Sequence, residues 1–255
     1  MRRSLAAAFF CGLSGVLYAQ VTFTPNTTNG EAALSLIGPG VQVQSLVLQG
    51  RPEAIARFQG NSNIGITDGV VLCTNDAVNL AGPNDISSGV TGGPFTPSLP
   101  DPDLTLLLGG GLGTPDTYGH YVLDMTFVPV YDSLLFNYVF ASEEYDSWAC
   151  SQYNDAFAFF LSGPGINGPF SNNAKNIALV PGSDAYVSVN SVNSGAIPVN
   201  ANGPVPDPFR ACFAADSGWV DNVPYYVYNG TGASYENFTL TEIPYCCNAY
   251  YLQPN

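Results

Sequence analysis

Short apolar runs, each closed by turn residues, recur along the chain, and several of them alternate apolar with polar positions. In two neighbouring runs an aromatic or leucine side chain occupies every second position. These side chains are Phe136, Tyr138, Phe140, Phe157, Phe159 and Leu161. A period of two places them on one face of each strand, whereas a helix would scatter them around its axis. We therefore expect these residues to lie mostly in the core.

Runs of this kind predict the following strands: Val41–Leu48, Ile64–Cys73, His120–Val128, Leu134–Ser142, Asp155–Ser162, Asn176–Val180, Tyr186–Val192, Tyr225–Tyr228 and Asn237–Ile243. Helical signals are confined to Glu53–Phe58, which follows Pro52, and to Asn75–Leu80. Many short strands separated by turn residues are typical of sandwiches and barrels. The expected fold is all-β, an antiparallel β-sandwich of jelly-roll type with long Gly/Pro-rich loops.

Two long stretches, Ala81–Gly119 and Asn193–Asp221, lack a regular pattern and are predicted to be loops. The first contains a glycine-rich segment, Gly109–Gly113. A phosphate-binding loop would need a Lys-Ser/Thr pair after such glycines. That pair is absent, so we interpret the segment as a surface loop.

The N-terminus has the pattern of a secretory signal peptide. Arg2 and Arg3 precede an apolar run, Leu5–Tyr18, and Ala19 suits cleavage. A membrane-spanning helix needs about 20 apolar residues, so this run is too short to remain in a bilayer. We expect residues 1–19 to be removed on export and residues 20–255 to form a single domain without a transmembrane segment.

Composition agrees with a folded, exported protein. Hydrophobic residues make up 46% of the chain and charged residues only 10%, the reverse of a disordered sequence. Asp and Glu number 20 against 6 Lys and Arg. A field of that sign repels the phosphates of nucleic acids and of anionic membranes, so neither is an expected partner.

Cysteine usage fits an oxidising compartment. The cysteines beyond the leader are Cys73, Cys150, Cys212, Cys246 and Cys247. Their odd number leaves at least one thiol free or bound to another chain. None has the CxxC spacing, and His120 is the sole histidine, which argues against a structural zinc site.

The densest motifs follow one another in the second half of the chain. They are Phe136-Asn-Tyr-Val-Phe-Ala-Ser-Glu-Glu-Tyr145, Asn154-Asp-Ala-Phe-Ala-Phe-Phe-Leu-Ser-Gly-Pro-Gly165, Asn176–Gly182 and Val187–Asn193. Together with Gly69–Leu72, Gly82–Asn84 and Asp101–Leu104 upstream, the segments resemble the choice-of-anchor L domain of exported and cell-surface proteins in Bacteroidetes and some other bacteria. The resemblance covers roughly Ile64 to Thr239.

The resemblance implies a secreted or surface protein, in a family for which no enzymatic activity is established. Members commonly carry cysteines in the regions of Cys150 and Cys212, which implies a disulfide between these two. The family's usual final strand is missing after Leu252, so the chain is either a fragment or a domain that has lost its last strands. The C-terminal sorting domain of many members is missing as well.

Oxygen-bearing side chains follow one motif strand and precede the next. They are Glu143, Glu144 and Asp146 after the first, and Asn154 and Asp155 before the second. If these strands are neighbours, the side chains meet at one end of the sheet, where a hard cation would neutralise the carboxylates. We expect a Ca²⁺ site at Glu143, Glu144, Asn154 and Asp155, with Asp146 as a helper. The alternative is that the two glutamates accept turn amides or face water.

Two kinds of catalytic site, a carboxylate pair and a Ser-His-Asp triad, are alternatives to a binding role. Glu143 or Glu144 with Asp155 could form the carboxylate pair of a polysaccharide hydrolase. A Ser-His-Asp triad would depend on His120, and no G-x-S-x-G elbow is present. The prediction is a non-catalytic exported protein that binds a glycan or another surface protein, with the secreted hydrolase as the alternative.

Aromatic residues in or beside loops are compatible with sugar stacking. They are Trp148, Trp219, Tyr225, Tyr226 and Tyr228. The alternative, which we favour for most of them, is that the rings fill the core or cover sheet edges.

Overall fold

The computed structural model describes residues 21–38, 40–60, 65–74, 76–77, 80, 100–109, 119–142, 149–151, 153–196, 208–227 and 248–252. Its strands are β1 (Thr22–Pro25), β2 (Val41–Gln49), β3 (Ile55–Gln59), β4 (Asp68–Leu72), β5 (Val122–Pro129), β6 (Tyr138–Ser142), β7 (Ala156–Phe157), β8 (Phe160–Leu161), β9 (Lys175–Asn176), β10 (Val187–Ser188) and β11 (Asn248–Leu252). Its helices are α1 (Asn29–Leu36), α2 (Pro102–Leu107) and α3 (Pro208–Ala215), with 3₁₀ segments at Pro52–Ala54, Ser171–Asn173 and Trp219–Tyr225.

The first half of the chain forms an antiparallel sheet in the order β1-β3-β4. Phe58 of β3 faces Phe23 of β1 at 6.5 Å between ring centroids. On its other side Phe58 pairs with Gly69 of β4. A Cβ on Gly69 would stand only 3.0 Å from the Phe58 ring, so glycine makes room for the aromatic side chain. Helix α1 contacts β2, β3 and β4.

Strands β2 and β5 form a long antiparallel pair from Val41↔Pro129 to Gln49↔Val122, with a bulge between Val43 and Ser45. Leu46 is the buried residue of β2. On the edge away from β5, the amide of Leu48 donates to Asn29 Oδ1 at 3.1 Å. The side chain at the start of α1 therefore satisfies a backbone group of the strand.

The second half carries the main core. Strand β6 pairs with β11, β7 with β10, and β8 with β9, all antiparallel. The buried cluster is formed by Phe140, Ala149, Val180, Val187, Val189 and Val192, and Tyr138 and Phe157 pack against it. The six alternating side chains singled out in the sequence are all buried or half-buried.

The expectation of a β-rich chain is therefore confirmed. In the described residues the strands form small antiparallel sheets with few helices. The sandwich and jelly-roll arrangement stays a prediction.

Several local predictions were wrong. Glu53–Phe58 was expected to be helical, but only Pro52–Ala54 forms a 3₁₀ turn before the chain enters β3. Tyr225 ends a 3₁₀ segment instead of starting a strand. The two predicted loops contain helices α2 and α3. Pro102 at the first turn of α2 and Pro208 at the start of α3 explain this, because a fixed φ suits a helix start.

Other predictions fall outside the described residues. They are the leader, the strand Asn237–Ile243, the glycines after Gly109 in the glycine-rich segment, and Cys246 and Cys247.

Candidate functional site

The two aromatic motif runs lie side by side. Phe136 is 4.4 Å from Phe159 and Tyr138 is 4.9 Å from Phe157, measured between ring centroids. From the first pair to the second, the residue number rises in one run and falls in the other, so the two runs are antiparallel. The end of β6 consequently meets the residues just before β7.

Asp155 marks this meeting point. The hydroxyl of Ser142, the last residue of β6, donates to Asp155 Oδ2 at 2.7 Å. The Asp155 carbonyl accepts from the Val189 amide at 3.0 Å. Burial raises the pKa of the Asp155 carboxyl, and the hydrogen bond from Ser142 opposes part of that rise. The carboxylate is thus held in an environment that disfavours its charge.

Asn154 is held by hydrogen bonds to Asn190 and Tyr186. Its Oδ1 accepts from the Asn190 amide at 2.9 Å. Its side chain also bonds to Tyr186, whose pKa is raised by burial and lowered in smaller part by this contact.

Of the predicted metal set, the structure describes Asn154 and Asp155. The Asp155 carboxyl lies against Ser142 at the end of β6, and Asn154 Oδ1 lies against the Asn190 amide. Glu143, Glu144 and Asp146 lie outside the described residues. Among the residues that are described, no group of three or more His, Cys, Asp or Glu side chains could hold a metal ion. The fourfold set therefore stays a prediction.

A disulfide joins Cys150 to Cys212, the pair that the resemblance implied. The Cα atoms are 4.6 Å apart across a sequence separation of 62 residues. Both cysteines are buried with Trp219 in one apolar cluster. Cys150 has a left-handed backbone, φ +63°, which costs a non-glycine residue energy and must be held by its surroundings.

Sequence reasoning missed a buried polar segment, Ser188–Asn193, that supports both features. Its valines enter the apolar core, and its polar side chains, which are equally buried, are Ser188, Asn190, Ser191 and Asn193. Ser188 and Ser191 bond to each other, and Asn190 and Asn193 bond to backbone groups. The signal was the density of Asn and Ser between valines, because such side chains often replace regular backbone pairing.

Comparison with known proteins decides the family. The model of the choice-of-anchor L domain matches residues 19–241, most of the chain. The chain belongs to the choice-of-anchor L family. No curated protein and no solved structure matches it significantly. Membership indicates an extracellular or surface protein, and a disulfide is compatible with that location.

In this choice-of-anchor L chain the described aromatic candidates are core residues. Trp219 is 4% exposed and packs on the disulfide. Tyr225 and Tyr226 are half-buried against the main cluster. Trp148 and Tyr228 lie outside the described residues. For the described rings, the core-filling alternative holds.

Among the described residues, no helix has the length and apolar character that crossing a bilayer requires.

Proposed function

We propose that this choice-of-anchor L protein is a non-catalytic surface protein that binds a glycan or another surface protein, with Ca²⁺ bound at Glu143, Glu144, Asn154 and Asp155. The observation that carries the proposal is the 2.7 Å contact between Ser142 and Asp155. It joins the serine in the middle of the Phe-Ala-Ser-Glu-Glu-Tyr motif to the start of the Asn-Asp-Ala-Phe motif.

The proposed site extends to Glu143 and Glu144, which come next in the chain after Ser142. Glu143 follows Ser142 directly, and consecutive Cα atoms are about 3.8 Å apart. A second carboxylate close to buried Asp155 would be repelled, and a cation would relieve both that repulsion and the cost of burial. Ca²⁺ accepts six to eight oxygen ligands in flexible loops, which suits a set of carboxylates and one amide.

The metal half of the proposal is tested by thermal unfolding in EDTA and in millimolar Ca²⁺. A ligand at about 100 times its Kd stabilises the native state by about 2.7 kcal/mol. For a domain of this size, we expect the Tm to rise by roughly 5–10 °C. Asp155→Asn keeps the shape and the Ser142 contact but removes the charge, so it should lose most of the rise.

Asp184→Asn is the matched control, because Asp184 is exposed and lies outside the proposed site. It should retain the full rise. Equal Tm values of the wild-type protein in EDTA and in Ca²⁺ would contradict the metal site.

A second candidate, a polysaccharide hydrolase, has one observation in its favour. Burial raises the pKa of the Asp155 carboxyl, which is the direction of shift that a general acid requires. A glycan array run beside a reducing-sugar assay separates the two functions. Ca²⁺-dependent retention without sugar release supports binding, whereas sugar release that disappears in Asp155→Asn would overturn it in favour of hydrolysis.

A further inference from the structure

One buried side chain links the disulfide to the proposed metal-binding loop. Asn190 is 4% exposed. Its Oδ1 accepts from the Cys150 amide at 2.7 Å, and its Nδ2 donates to the Ser151 carbonyl at 3.0 Å. Its own amide donates to Asn154 Oδ1 at 2.9 Å. The backbone of the disulfide residue and the side chain of a proposed ligand are thus held by the same asparagine.

The other half of the disulfide is tied to the same segment. Asn193 is fully buried and donates from Nδ2 to Cys212 Sγ at 3.4 Å. It also donates to the Val189 carbonyl at 3.0 Å. The segment Ser188–Asn193 therefore contacts both cysteines and, through the Asn190 amide, the loop at Asn154.

Reduction of the disulfide must disturb this arrangement. Two thiols cannot remain at the bonding distance of about 2 Å. Both cysteines are buried in a close-packed interior, so the sulfurs separate only if their neighbours move. The hydrogen bond from the Cys150 amide to Asn190 Oδ1 helps to hold the left-handed backbone of Cys150. A shift of Cys150 therefore reaches Asn190 and, one hydrogen bond further, Asn154.

We propose that Asn190 couples the redox state of the Cys150–Cys212 disulfide to cation binding at the Asn154–Asp155 loop. The inference rests on the proposed function, because it concerns the regulation of the same site. In the oxidised chain the loop is preorganised to bind Ca²⁺, and in the reduced chain it is not. Linkage is reciprocal, so bound Ca²⁺ makes the disulfide harder to reduce by the same factor.

Such coupling confines binding to an oxidising environment. A chain that has not yet met such an environment keeps its thiols reduced. It would bind the cation weakly until it reaches the compartment in which the disulfide forms.

The experiment uses the full chain equilibrated in mixtures of reduced and oxidised dithiothreitol, with EDTA or with millimolar Ca²⁺. Reduced dithiothreitol supplies two electrons and two protons to the disulfide and becomes its own cyclic disulfide. Alkylation followed by peptide mass analysis gives the fraction of Cys150 and Cys212 that is reduced. We expect Ca²⁺ to shift this equilibrium toward the disulfide by roughly tenfold, within the usual range of coupling between sites.

Asn190→Ala should uncouple the Cys150–Cys212 disulfide from cation binding at the Asn154–Asp155 loop. Its disulfide should be reduced more readily than that of the wild type in EDTA, and Ca²⁺ should change the equilibrium less than about twofold. The matched control is Asn176→Ala. The Asn176 side chain makes three hydrogen bonds to backbone groups, against two for that of Asn190, but its partners are Phe159 and Ala178. This variant should keep the wild-type response to Ca²⁺.

The outcomes separate the two proposals. A wild-type Tm that is the same in EDTA and Ca²⁺ contradicts the metal site, and the coupling falls with it. A normal Ca²⁺ shift in the wild type, with equal protection of the disulfide in Asn190→Ala, contradicts the coupling alone. If Asn176→Ala lost the Ca²⁺-induced shift of the disulfide equilibrium to the same extent as Asn190→Ala, the loss would reflect general destabilisation. That result would also overturn the role of Asn190.

Discussion

At the scale of single residues, Asp155 gives the protein a defined dependence on pH. Its folded pKa is raised above the ordinary value of 3.8 by burial. The folded state therefore holds this proton more tightly than the unfolded state does. The stabilising contribution is complete below the ordinary pKa and is lost as the pH rises through the folded pKa.

We accordingly expect wild type in EDTA to lose stability relative to Asp155→Asn as the pH rises above the ordinary pKa of 3.8. The free energy of unfolding, measured with urea at each pH, checks this. The free energy of unfolding of Asp184→Asn should change with pH in parallel with that of the wild type. If the wild-type and Asp155→Asn curves were parallel instead, the raised pKa would be wrong.

At the scale of elements, the β8–β9 hairpin depends on one close backbone approach. Gly168 donates its amide to the Asn173 carbonyl at 2.8 Å, and the ring of Phe160 in β8 lies 4.5 Å from the tilted ring of Phe170 in the connecting loop. A methyl group on Gly168 would overlap the backbone carbonyl of Ala174, which cannot rotate away. Gly168→Ala should therefore destabilise the fold by about 1–3 kcal/mol, the usual cost of overpacking.

Gly163→Ala in the same hairpin is the control for that substitution. Its added methyl group would meet only the end of the Ile166 side chain at 3.8 Å, an ordinary contact. Urea denaturation should separate the two variants clearly. A Gly168→Ala protein as stable as Gly163→Ala would show that the turn can open without cost.

Elements with a strong local pattern were predictable, and elements set by distant contacts were not. The period-two aromatics of Leu134–Ser142 predicted a strand there, but β6 begins only at Tyr138, and the predicted strand Asp155–Ser162 is divided into β7 and β8. Helix α1 was missed although its start carries a readable signal, Thr28 and Glu31 in a capping box. Asn29 and Gly30 between them favour a turn, and this masked the helix.

The candidate site was predictable only in part, for the same physical reason. The sequence could place Asp155 at the end of β6 only on the condition that the two motif strands are neighbours, because the strand period fixes the face of each side chain and not the partner strand. The supporting roles of Asn190 and Asn193 depend on where a folded loop passes in three dimensions. No period in the sequence encodes that path, so their hydrogen bonds emerge only from the structure.

At the scale of the whole molecule, the disulfide is the covalent tie between two distant parts of the chain. It connects the residues before β7 to helix α3 across 62 positions. Closing a loop of this length restricts the unfolded chain and stabilises the protein by about 4 kcal/mol on the chain-entropy estimate. Trp219 packs against the bridge, so its loss would also loosen an apolar cluster.

The double variant Cys150→Ser/Cys212→Ser should consequently melt about 10 °C lower than the oxidised wild type, because each kcal/mol shifts the Tm of a domain this size by roughly 2–4 °C. Differential scanning calorimetry under non-reducing conditions measures the difference. The wild type with dithiothreitol should approach the variant, while the variant itself should not respond to the reductant. A Tm within about 2 °C of the oxidised wild type would contradict the stabilising role, since two such buried hydroxyls offer no compensating gain.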